Sequence, residues 1–570
     1  MSTLQKRWEI LPTAPAEYLA EFPDLPPLLL QLLYNRGLRT HPEVESFLSR
    51  SFSPDNPFAL RGMNEAVTRL RKAIRAREGI AVYGDYDADG VAATALLVPT
   101  LRALGAQASP YIPKRLEEGY GLNKPALAEL ARQGVRVVVT VDCGVRSVDE
   151  ASFARDLGLD LIITDHHSVG SEVPPAVAVI DPRVEGDPYP FKHLAGVGLA
   201  YKLAQALLRT ERQVPISGET LLPEEEDLLD LVALGTVADL APLLGENRAL
   251  VSRGLEQLNR ARRPGIAAML QEANLKPGQV NAGTVGFVLG PRLNASGRLD
   301  DAIASYNLLA TTSAQEANTL AQQLGEQNRQ RRQLMNDLVQ RARTEIQSLK
   351  DQLVYVLADP AYVAGIAGLV ASRITEEFYR PSLVIAREED ESRGSARSIP
   401  AFHITNALDE CSNLLVRHGG HAAAAGFSIR SENIGTLASE LQRIAARELR
   451  TEDLVPTVSV DMGLPLSQAT GDQLALLEML QPFGIGNPRP VLVGRNVQVR
   501  DCRSVGSDGT SLKFKLSDGA AVWDAIAFRQ GTLPEQVPRR IDIVYTLQSR
   551  IWNDEERLEL IVQDWRPTTG

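Results

Sequence analysis

The sequence has few cysteines and no long apolar segment. Its only cysteines, Cys143, Cys411 and Cys502, are an odd and sparse set, which fits a reducing cytoplasm better than a disulfide framework. No apolar stretch approaches the roughly 20 residues that a membrane helix needs. The first residues also lack the apolar core of a secretory signal. We therefore expect a cytoplasmic chain with no membrane partner.

Positive charge is also scarce. The chain has 60 basic and 71 acidic residues, a net charge of −11, which argues against a general nucleic-acid coat because such proteins usually present a basic face. A local basic groove is not excluded, and two bound divalent cations would add about four positive charges where acids cluster. The length of 570 residues exceeds what one hydrophobic core supports and predicts two to four domains.

The alternation of apolar runs and helical patterns predicts an α/β fold. We expect a parallel-sheet domain, joined by a long polar helix to a smaller α/β domain, and then a C-terminal β-barrel of the oligonucleotide-binding (OB) type. The predicted segments are a helical extension at 1–59, the parallel-sheet domain at 60–313, the connecting helix at 314–350, the second α/β domain at 351–454 and the barrel at 455–570.

Four acidic clusters each follow an apolar run. The runs before the first three are short and rich in β-branched residues, as expected for buried parallel strands. Ligands of open α/β sheets collect at the carboxyl ends of strands, so these clusters predict a metal centre. Its candidate residues are Asp85, Asp87 and Asp89 in YGDYDADG, Asp142 in VTVDCG, Asp165, His166 and His167 in IITDHH, and Asp239 in GTVADL.

The donor types indicate which metal this centre would bind. Carboxylate oxygens with one or two imidazoles suit Mn²⁺ or Mg²⁺ better than structural zinc. Converging carboxylates repel one another, and two cations about 3.5–4 Å apart would neutralise them and activate water for attack on phosphorus. DYDADG also begins like a calcium-binding EF-hand loop, but position twelve from Asp85 is Leu96, where that loop needs glutamate. The calcium-loop interpretation therefore fails.

The motifs DYDADG, VDCG, DHH and GTVAD, in this order, resemble those of the DHH phosphoesterase superfamily. Further segments narrow the resemblance to the RecJ family of bacterial single-strand-specific exonucleases: YIPKRLEEGYGLN, LAGVGLAYKLA, GPRLNASGRLDDA, GSARSIPAFHI, GGHAAAAGF and LQPFGIGNPRP. The resemblance implies a DHH catalytic domain, a connecting helix, a DHHA1 domain and an OB-fold. It also implies two-metal hydrolysis of single-stranded DNA from 5′ to 3′ into mononucleotides, in DNA repair and recombination. Two Mn²⁺ or Mg²⁺ ions are the implied cofactors, and single-stranded DNA, a single-strand-binding protein and a helicase are the implied partners.

The same resemblance assigns roles to the candidate residues. Asp142 is expected to bridge the two ions, Asp165 to orient the histidines, and His167 to contact the scissile phosphate. Asp85 matches a further acid of the first motif. The positions that match the family's metal ligands are Asp87, Asp89, Asp142, His166 and Asp239.

The predicted DNA contacts form two sets. Arg115, Arg292 and Arg298 are expected in loops at the metal end of the sheet, together with Asn294. The second set is interpreted as a 5′-phosphate pocket in which turns, including a glycine turn, hold the anion: Ser372, Arg373, Ser395, Arg397, Gly420 and His421.

Two details of substrate binding stay open at this point. Tyr362-Val363 stands where the family pattern has Trp-His, which leaves the recognition of the 5′ end in question. Four aromatic residues of the barrel are either base-stacking surfaces or barrel core: Phe514, Trp523, Phe528 and Trp552.

Two other functions remain open. One is a DHH phosphoesterase acting on short RNA, a cyclic dinucleotide or pyrophosphate, for which the C-terminal barrel would be superfluous. The other is a non-catalytic scaffold in a replication or repair assembly. Scaffolds of this kind tend to lose metal ligands, whereas every acid of the motifs is present here.

Overall fold

The chain forms two compact units. A computed structural model describes residues 6–53, 55–115, 117–216, 221–299, 301–349, 352–506, 509–528, 533–552 and 555–568. The first unit comprises Glu45–Arg332 and Gln481–Pro488. The second unit comprises Met1–Val44, Gln333–Leu480 and Arg489–Gly570.

The described residues form helices and strands with the following bounds. The helices are α1 (Ala16–Glu21), α2 (Pro27–Asn35), α3 (His41–Ser49), α4 (Met63–Ala76), α5 (Ala88–Ala103), α6 (Lys124–Arg132), α7 (Val148–Asp156), α8 (Gly196–Gln213), α9 (Leu229–Ala238), α10 (Gly245–Arg260), α11 (Pro264–Glu272), α12 (Ala282–Thr284), α13 (Gly290–Leu299), α14 (Ile303–Ala310), α15 (Ala314–Ile346), α16 (Ala364–Phe378), α17 (Ile404–Glu410), α18 (Ile434–Glu448) and α19 (Gly471–Glu478). The strands are β1 (Arg7–Ile10), β2 (Gly79–Gly84), β3 (Gln107–Tyr111), β4 (Val135–Val141), β5 (Asp160–Thr164), β6 (Ala178–Ile180), β7 (Tyr355–Asp359), β8 (Ser382–Ala386), β9 (Glu391–Arg397), β10 (Leu415–His421), β11 (Ala424–Arg430), β12 (Thr457–Val460), β13 (Met462–Gly463), β14 (Leu492–Val505), β15 (Ser511–Ser517), β16 (Val522–Ala527), β17 (Arg540–Trp552) and β18 (Glu555–Pro567).

A parallel five-stranded sheet lies in the first unit, with the order β3-β2-β4-β5-β6. Its central strands β2, β4 and β5 are buried and confirm the three predicted apolar strands. Helix α5 is buried on almost every side, which explains its nearly continuous alanine, leucine and valine sequence. It packs against α8 and α9, so these helices form the core beside the sheet.

Parallel strands bring their carboxyl ends to one edge of the sheet. Asp85, Asp142 and Asp165 therefore lie at the same edge, because they follow β2, β4 and β5. Asp239 reaches its position differently, since it is the C-cap residue of helix α9 rather than the end of a strand.

The second unit contains a mixed sheet and a β-barrel. The mixed sheet has the order β10-β11-β9-β8-β7 and carries α16, α17 and α18. The barrel runs β14-β15-β16-β18-β17 and is closed by pairing between β14 and β17, which confirms the predicted OB-type architecture. The N-terminal extension, which was expected to be helical, contains α1, α2 and α3. Its additional strand β1 pairs in parallel with β12, about 450 residues away. Nothing local in four residues signals such a distant partner.

The predicted connecting helix is confirmed as α15, and the chain passes from the first unit to the second between Arg332 and Gln333 within it. The five domain boundaries stay a prediction. None of the helices in the described part of the chain combines the length and the apolarity that a membrane crossing requires.

Substituting Gly254 by alanine tests the packing of the first unit. A Cβ at Gly254 in α10 would lie 2.2 Å from the Leu229 carbonyl oxygen of α9. Overpacking at such a crossing costs roughly 1–3 kcal/mol, so we expect the thermal midpoint of Gly254→Ala to fall by several degrees. The control is Gly435→Ala in α18, where the new Cβ has no described atom within 4 Å apart from its chain neighbours and its own helix backbone. Equal midpoints for the two variants, measured by calorimetry, would contradict the close helix crossing.

Candidate metal centre

The DYDADG segment forms a strand-to-helix turn. Asp87 is the N-cap of α5, and its carboxylate accepts hydrogen bonds from the amides of Asp89 (2.9 Å) and Gly90 (3.1 Å). A Cβ at Gly90 would lie 2.6 Å from the Asp85 amide nitrogen, so the turn requires glycine there. The three acids therefore lie around the start of a helix rather than along a calcium loop.

Two helices hold the Asp89 carboxylate in place. It accepts hydrogen bonds from the amides of Gly196 (2.7 Å) and Val197 (3.0 Å) at the start of α8, where the helix dipole favours negative charge. Helix α9 approaches closely from another side, because a Cβ at Gly235 would lie 2.6 Å from Oδ1 of Asp89. The position of this carboxylate is thus fixed by backbone atoms.

Asp142 has an unusual backbone conformation. Its φ is +64°, which is uncommon for a residue other than glycine and is often found at functional sites. Its amide donates to the Thr164 carbonyl at 3.0 Å and so extends the pairing of β4 with β5. A Cβ at Gly196 would lie 2.5 Å from the Asp142 Cβ, so α8 also begins against this residue.

Asp165 organises the two histidines. Its Oδ1 accepts hydrogen bonds from the amides of His166 (2.7 Å) and His167 (3.1 Å) and lies 2.7 Å from Nδ1 of His167. Burial alone would raise the pKa of Asp165, but the hydrogen bond and positive charge of His167 lower it. Burial would likewise lower the pKa of His167, but Asp165 raises it to about 9. His167 is therefore an imidazolium at neutral pH.

His166 is the opposite case. Burial and the neighbouring His167 lower the pKa of His166 to about 3, so its ring is neutral. Its Nε2 lies 3.0 Å from Oδ1 of Asp142. Within the described part of the chain neither of these buried atoms has a hydrogen-bond partner, and the same holds for Oδ1 of Asp85. Buried polar atoms without partners cost free energy, and a cation between them would remove that cost.

The carboxylates of the centre also repel one another. Burial first, and then neighbouring aspartates, raise the pKa of Asp89 to about 7 and that of Asp239 to about 9. The same causes raise the pKa of Asp142 well above its ordinary value. Asp239 additionally lies at the C-terminal end of α9, where the helix dipole disfavours negative charge. Divalent cations would reverse each of these penalties.

The candidate ligands fall into groups that fit two cations. In each group the donor atoms lie within 4.8 Å of one another, and Asp142 belongs to two of the three groups, which suits a bridging residue. The groups are Asp85, Asp87 and Asp142; Asp89, His166 and Asp239; and Asp142, His166 and His167.

The first set of predicted DNA contacts is placed partly as expected. Arg115 lies in a loop, with its guanidinium 4.7 Å from the ring centroid of Tyr86. Arg292 and Arg298 were expected in loops, but both lie in helix α13, which continues through the glycines that suggested a loop. Arg292 donates to Glu272 at 2.7 Å.

Asn294 supports the DYDADG turn. Its side-chain oxygen accepts a hydrogen bond from the Ala88 amide at 2.7 Å. Helix α13 lies close at this point, because a Cβ at Gly297 would be 2.8 Å from the Tyr86 carbonyl oxygen. Burial, and then the charges of Arg115 and Arg331, lower the pKa of Arg298 to about 10. An arginine cluster, Arg115, Arg298 and Arg331, therefore borders the acidic turn.

The second set of predicted DNA contacts lies on strands and a helix rather than in turns. Ser395 and Arg397 are in β9, Gly420 and His421 are in β10, and Ser372 and Arg373 lie inside α16 instead of after it. The turn prediction was wrong because these residues lie within regular strands and a helix, where Gly368 and Gly394 serve close packing. A Cβ at Gly368 of α16 would lie 3.1 Å from Arg397 and 3.5 Å from Ser395, and Phe427 covers the opposite face of the sheet at Gly394.

The register of β9, β10 and β11 places three residues of this second set on the same face of the mixed sheet. His421 is opposite Ala424, which is opposite Arg397, and Ser395 lies two residues before Arg397 on the same face. Gly419 and Gly426 lie between them, and apart from the adjacent residues in the chain no described atom is within 4 Å of a Cβ built at either glycine. The two glycines thus leave an open floor beside Ser395, Arg397 and His421.

Two residues near the metal centre were missed by the sequence reasoning. The Tyr120 hydroxyl lies 3.0 Å from Nδ1 of His167 and donates to the Asp142 carbonyl at 3.4 Å. In the sequence, the clue to Tyr120 is the pair of glycines on either side of it, both of which have positive φ in the structure. Asp181 follows β6, as the other acids follow their strands. Burial raises the pKa of Asp181 to about 7, and its Oδ2 has no hydrogen-bond partner among the described residues.

The stability of the metal-free protein should fall as the pH rises. Asp89 and Asp239 hold protons in the folded state up to about pH 7 and 9, whereas the unfolded chain loses them near pH 4. The folded state thus binds more protons across this range, and raising the pH disfavours it.

Mn²⁺ binding requires deprotonated ligands, so the rise in thermal midpoint on adding Mn²⁺ should be several degrees larger at pH 8.5 than at pH 6. Calorimetry with Mn²⁺ or chelator measures it, with Asp142→Asn as the variant that loses the Mn²⁺ effect. A Mn²⁺ effect that is equal at both pH values would contradict the assignment.

Three family models match the chain. They are the DHH family N-terminal domain over residues 79–236, the DHHA1 domain over 350–447 and the RecJ OB domain over 460–564. A relative from Bacillus subtilis (strain 168), named single-stranded-DNA-specific exonuclease RecJ, is 38% identical over 99% of this chain and 71% of its own length.

Two solved structures are also similar. The crystal structure of RecJ from Thermus thermophilus in complex with Mn²⁺ matches with a TM-score of 0.84 at 30% identity, over 99% of this chain and 80% of that chain. Its counterpart in complex with Mg²⁺ matches with a TM-score of 0.79 at 29% identity, over 99% and 79%. The chain belongs to the RecJ family.

Proposed function

We propose that this chain is a metal-dependent exonuclease that degrades single-stranded DNA from 5′ to 3′ into mononucleotides, in DNA repair and recombination. The observation that carries this function is the set of buried, mutually repelling donors around Asp142 in a chain of the RecJ family. A complete donor set argues against a non-catalytic scaffold. The matched OB domain argues against an enzyme restricted to short substrates.

The metal centre would hold two Mn²⁺ or Mg²⁺ ions. Asp85, Asp87 and Asp142 form one group of ligands, and Asp89, His166 and Asp239 form the other. Oδ1 of Asp142 also lies 3.0 Å from Nε2 of His166, so Asp142 would be placed to contribute to both ions. When bound, the cations supply an activated water for attack on phosphorus and neutralise charge on the phosphate.

His167 acts on the substrate from beside this centre. Asp165 orients the His167 ring through the contact of 2.7 Å at Nδ1, and Tyr120 contacts the same ring. A ring N–H of His167 in this position would stabilise the negative charge that develops on the phosphate oxygens in the transition state. Arg115 and Arg298 would bind the neighbouring phosphates of the strand.

The face of Ser395, Arg397 and His421 would bind the 5′-phosphate. The open floor of Gly419 and Gly426 lets an anion approach the sheet, with Ser372 and Arg373 on α16 nearby in the same unit. Tyr362 is buried and donates to Glu345 at 3.3 Å, while Val363 is partly exposed. Recognition of the 5′ end in this chain would therefore depend on Arg397 and His421.

In the barrel, one aromatic residue suits base stacking. Phe514 is buried, and Trp523 donates its indole N–H to the Leu466 carbonyl at 2.9 Å, whereas Phe528 is exposed. The Trp552 side chain lies outside the described residues. We propose Phe528 as the stacking surface, with a single-strand-binding protein and a helicase as partners that present the strand.

A cleavage assay tests the proposed function. With Mn²⁺ or Mg²⁺, we expect the protein to degrade a duplex with a 5′ overhang at least tenfold faster than a blunt duplex and to release mononucleotides. Chelation and Asp142→Ala should each abolish the activity, because Asp142 belongs to two of the three candidate ligand groups. Equal rates on the two duplexes, or activity that survives Asp142→Ala, would contradict the proposal.

Replacing Arg397 tests the 5′-phosphate pocket. Arg397→Ala removes a cation beside the glycine floor, so we expect the ratio of kcat/KM for 5′-phosphorylated over 5′-hydroxyl strands to fall about tenfold. Arg393→Ala is the matched control, since Arg393 lies on the same strand and face but is exposed at its other end. An unchanged ratio in Arg397→Ala, or an equal fall of the ratio in both variants, would show that the 5′-phosphate does not bind at this face.

A further inference from the structure

Two large apolar side chains are exposed next to the acidic end of α9. Phe287 is 87% exposed and Leu240 is 65% exposed. Single exposed apolar residues are common on protein surfaces. These two are unusual because of their position. Leu240 lies in the turn that carries Asp239, and the segment that carries Phe287 packs against that end of α9.

Phe287 lies in the middle of a π-helical turn, Val285–Leu289. Val285 and Leu289 are fully buried, so Phe287 faces away from the core between them. The turn packs against the last turn of α9, because a Cβ at Gly286 would lie 3.8 Å from Val237 and one at Gly290 would lie 3.1 Å from Ala238. Single π-helical turns are frequent at functional sites.

Leu240 follows Asp239 directly. The Leu240 amide donates to the Val237 carbonyl and the Ala241 amide to the Thr236 carbonyl, both at 3.2 Å, which is a Schellman ending. The φ of Leu240 is +63°, a position that most helices give to glycine because a side chain there is strained. This chain places an exposed leucine there, beside a candidate metal ligand.

We propose that Phe287, supported by Leu240, stacks against a nucleobase of the single strand beside the metal centre. This inference rests on the proposed function. The faces of the bases are the apolar surfaces of DNA, and aromatic side chains stack on them in proteins that bind single strands. In a duplex these faces are covered by neighbouring base pairs, so the contact selects for single strands at the centre itself.

The first measurement is the KM for a single-stranded oligonucleotide. Phe287→Ala should raise KM about tenfold, which corresponds to about 1.4 kcal/mol, and Phe287→Trp should keep it near the wild-type value because indole also stacks. Phe287→Leu should give an intermediate KM. Val214→Ala is the control, since Val214 is an exposed apolar residue of the same unit at the end of α8, and it should leave KM unchanged.

The second measurement tests whether the Phe287 ring interacts with one particular base of the strand. Oligonucleotides carry one abasic position, moved stepwise from the 5′ end. With the wild type, one abasic position should raise KM about tenfold. With Phe287→Ala, the same position should have no further effect, because the two groups interact only with each other.

The outcomes separate this inference from the proposed function. A wild type that does not cut single strands would overturn both. A wild type that cuts, with Phe287→Ala unchanged in KM or with abasic effects that persist fully in Phe287→Ala, would overturn the stacking alone. Coupled losses at one abasic position, together with rescue by tryptophan, support it.

Discussion

Burial of carboxylates that also repel one another, at one edge of the parallel sheet, governs the electrostatics of the candidate metal centre. Asp85, Asp89 and Asp142 are almost fully buried there, and Asp239 approaches from the end of a helix. Burial first, and then the neighbouring aspartates, raise the pKa values of these carboxyl groups, so their charged forms are disfavoured in the absence of cations. Divalent cations would neutralise these carboxylates, and the relief of this unfavourable energy would favour cation binding.

Backbone packing holds the carboxylates against that repulsion. Gly90, Gly196 and Gly235 let backbone segments approach Asp85, Asp142 and Asp89 at distances that exclude any side chain. The amides at the start of α8 bind Asp89, and Asn294 of α13 binds the start of α5. These residues position the candidate ligands, and the space beside the three glycines admits no side chain.

The sequence predicted the sheet and its acids well because both signals are local. A run of β-branched residues followed by aspartate is sufficient to place Asp85, Asp142 and Asp165 at one edge. The turn predictions for Ser395 and His421 were wrong, since glycine is typical of turns and also of close sheet packing, and only the tertiary contacts distinguish the two. The pairing of β1 with β12 and the role of Asn294 depend on partners more than 200 residues away, which a local pattern does not encode.

Diffraction from Mn²⁺-soaked crystals at the manganese absorption edge would locate the cations relative to Asp142. We expect two anomalous peaks, about 3.5–4 Å apart, with an Asp142 oxygen between them and with the remaining ligands supplied by the strand-end acids, His166 and Asp239. A single peak, or peaks away from Asp142, would contradict this expectation.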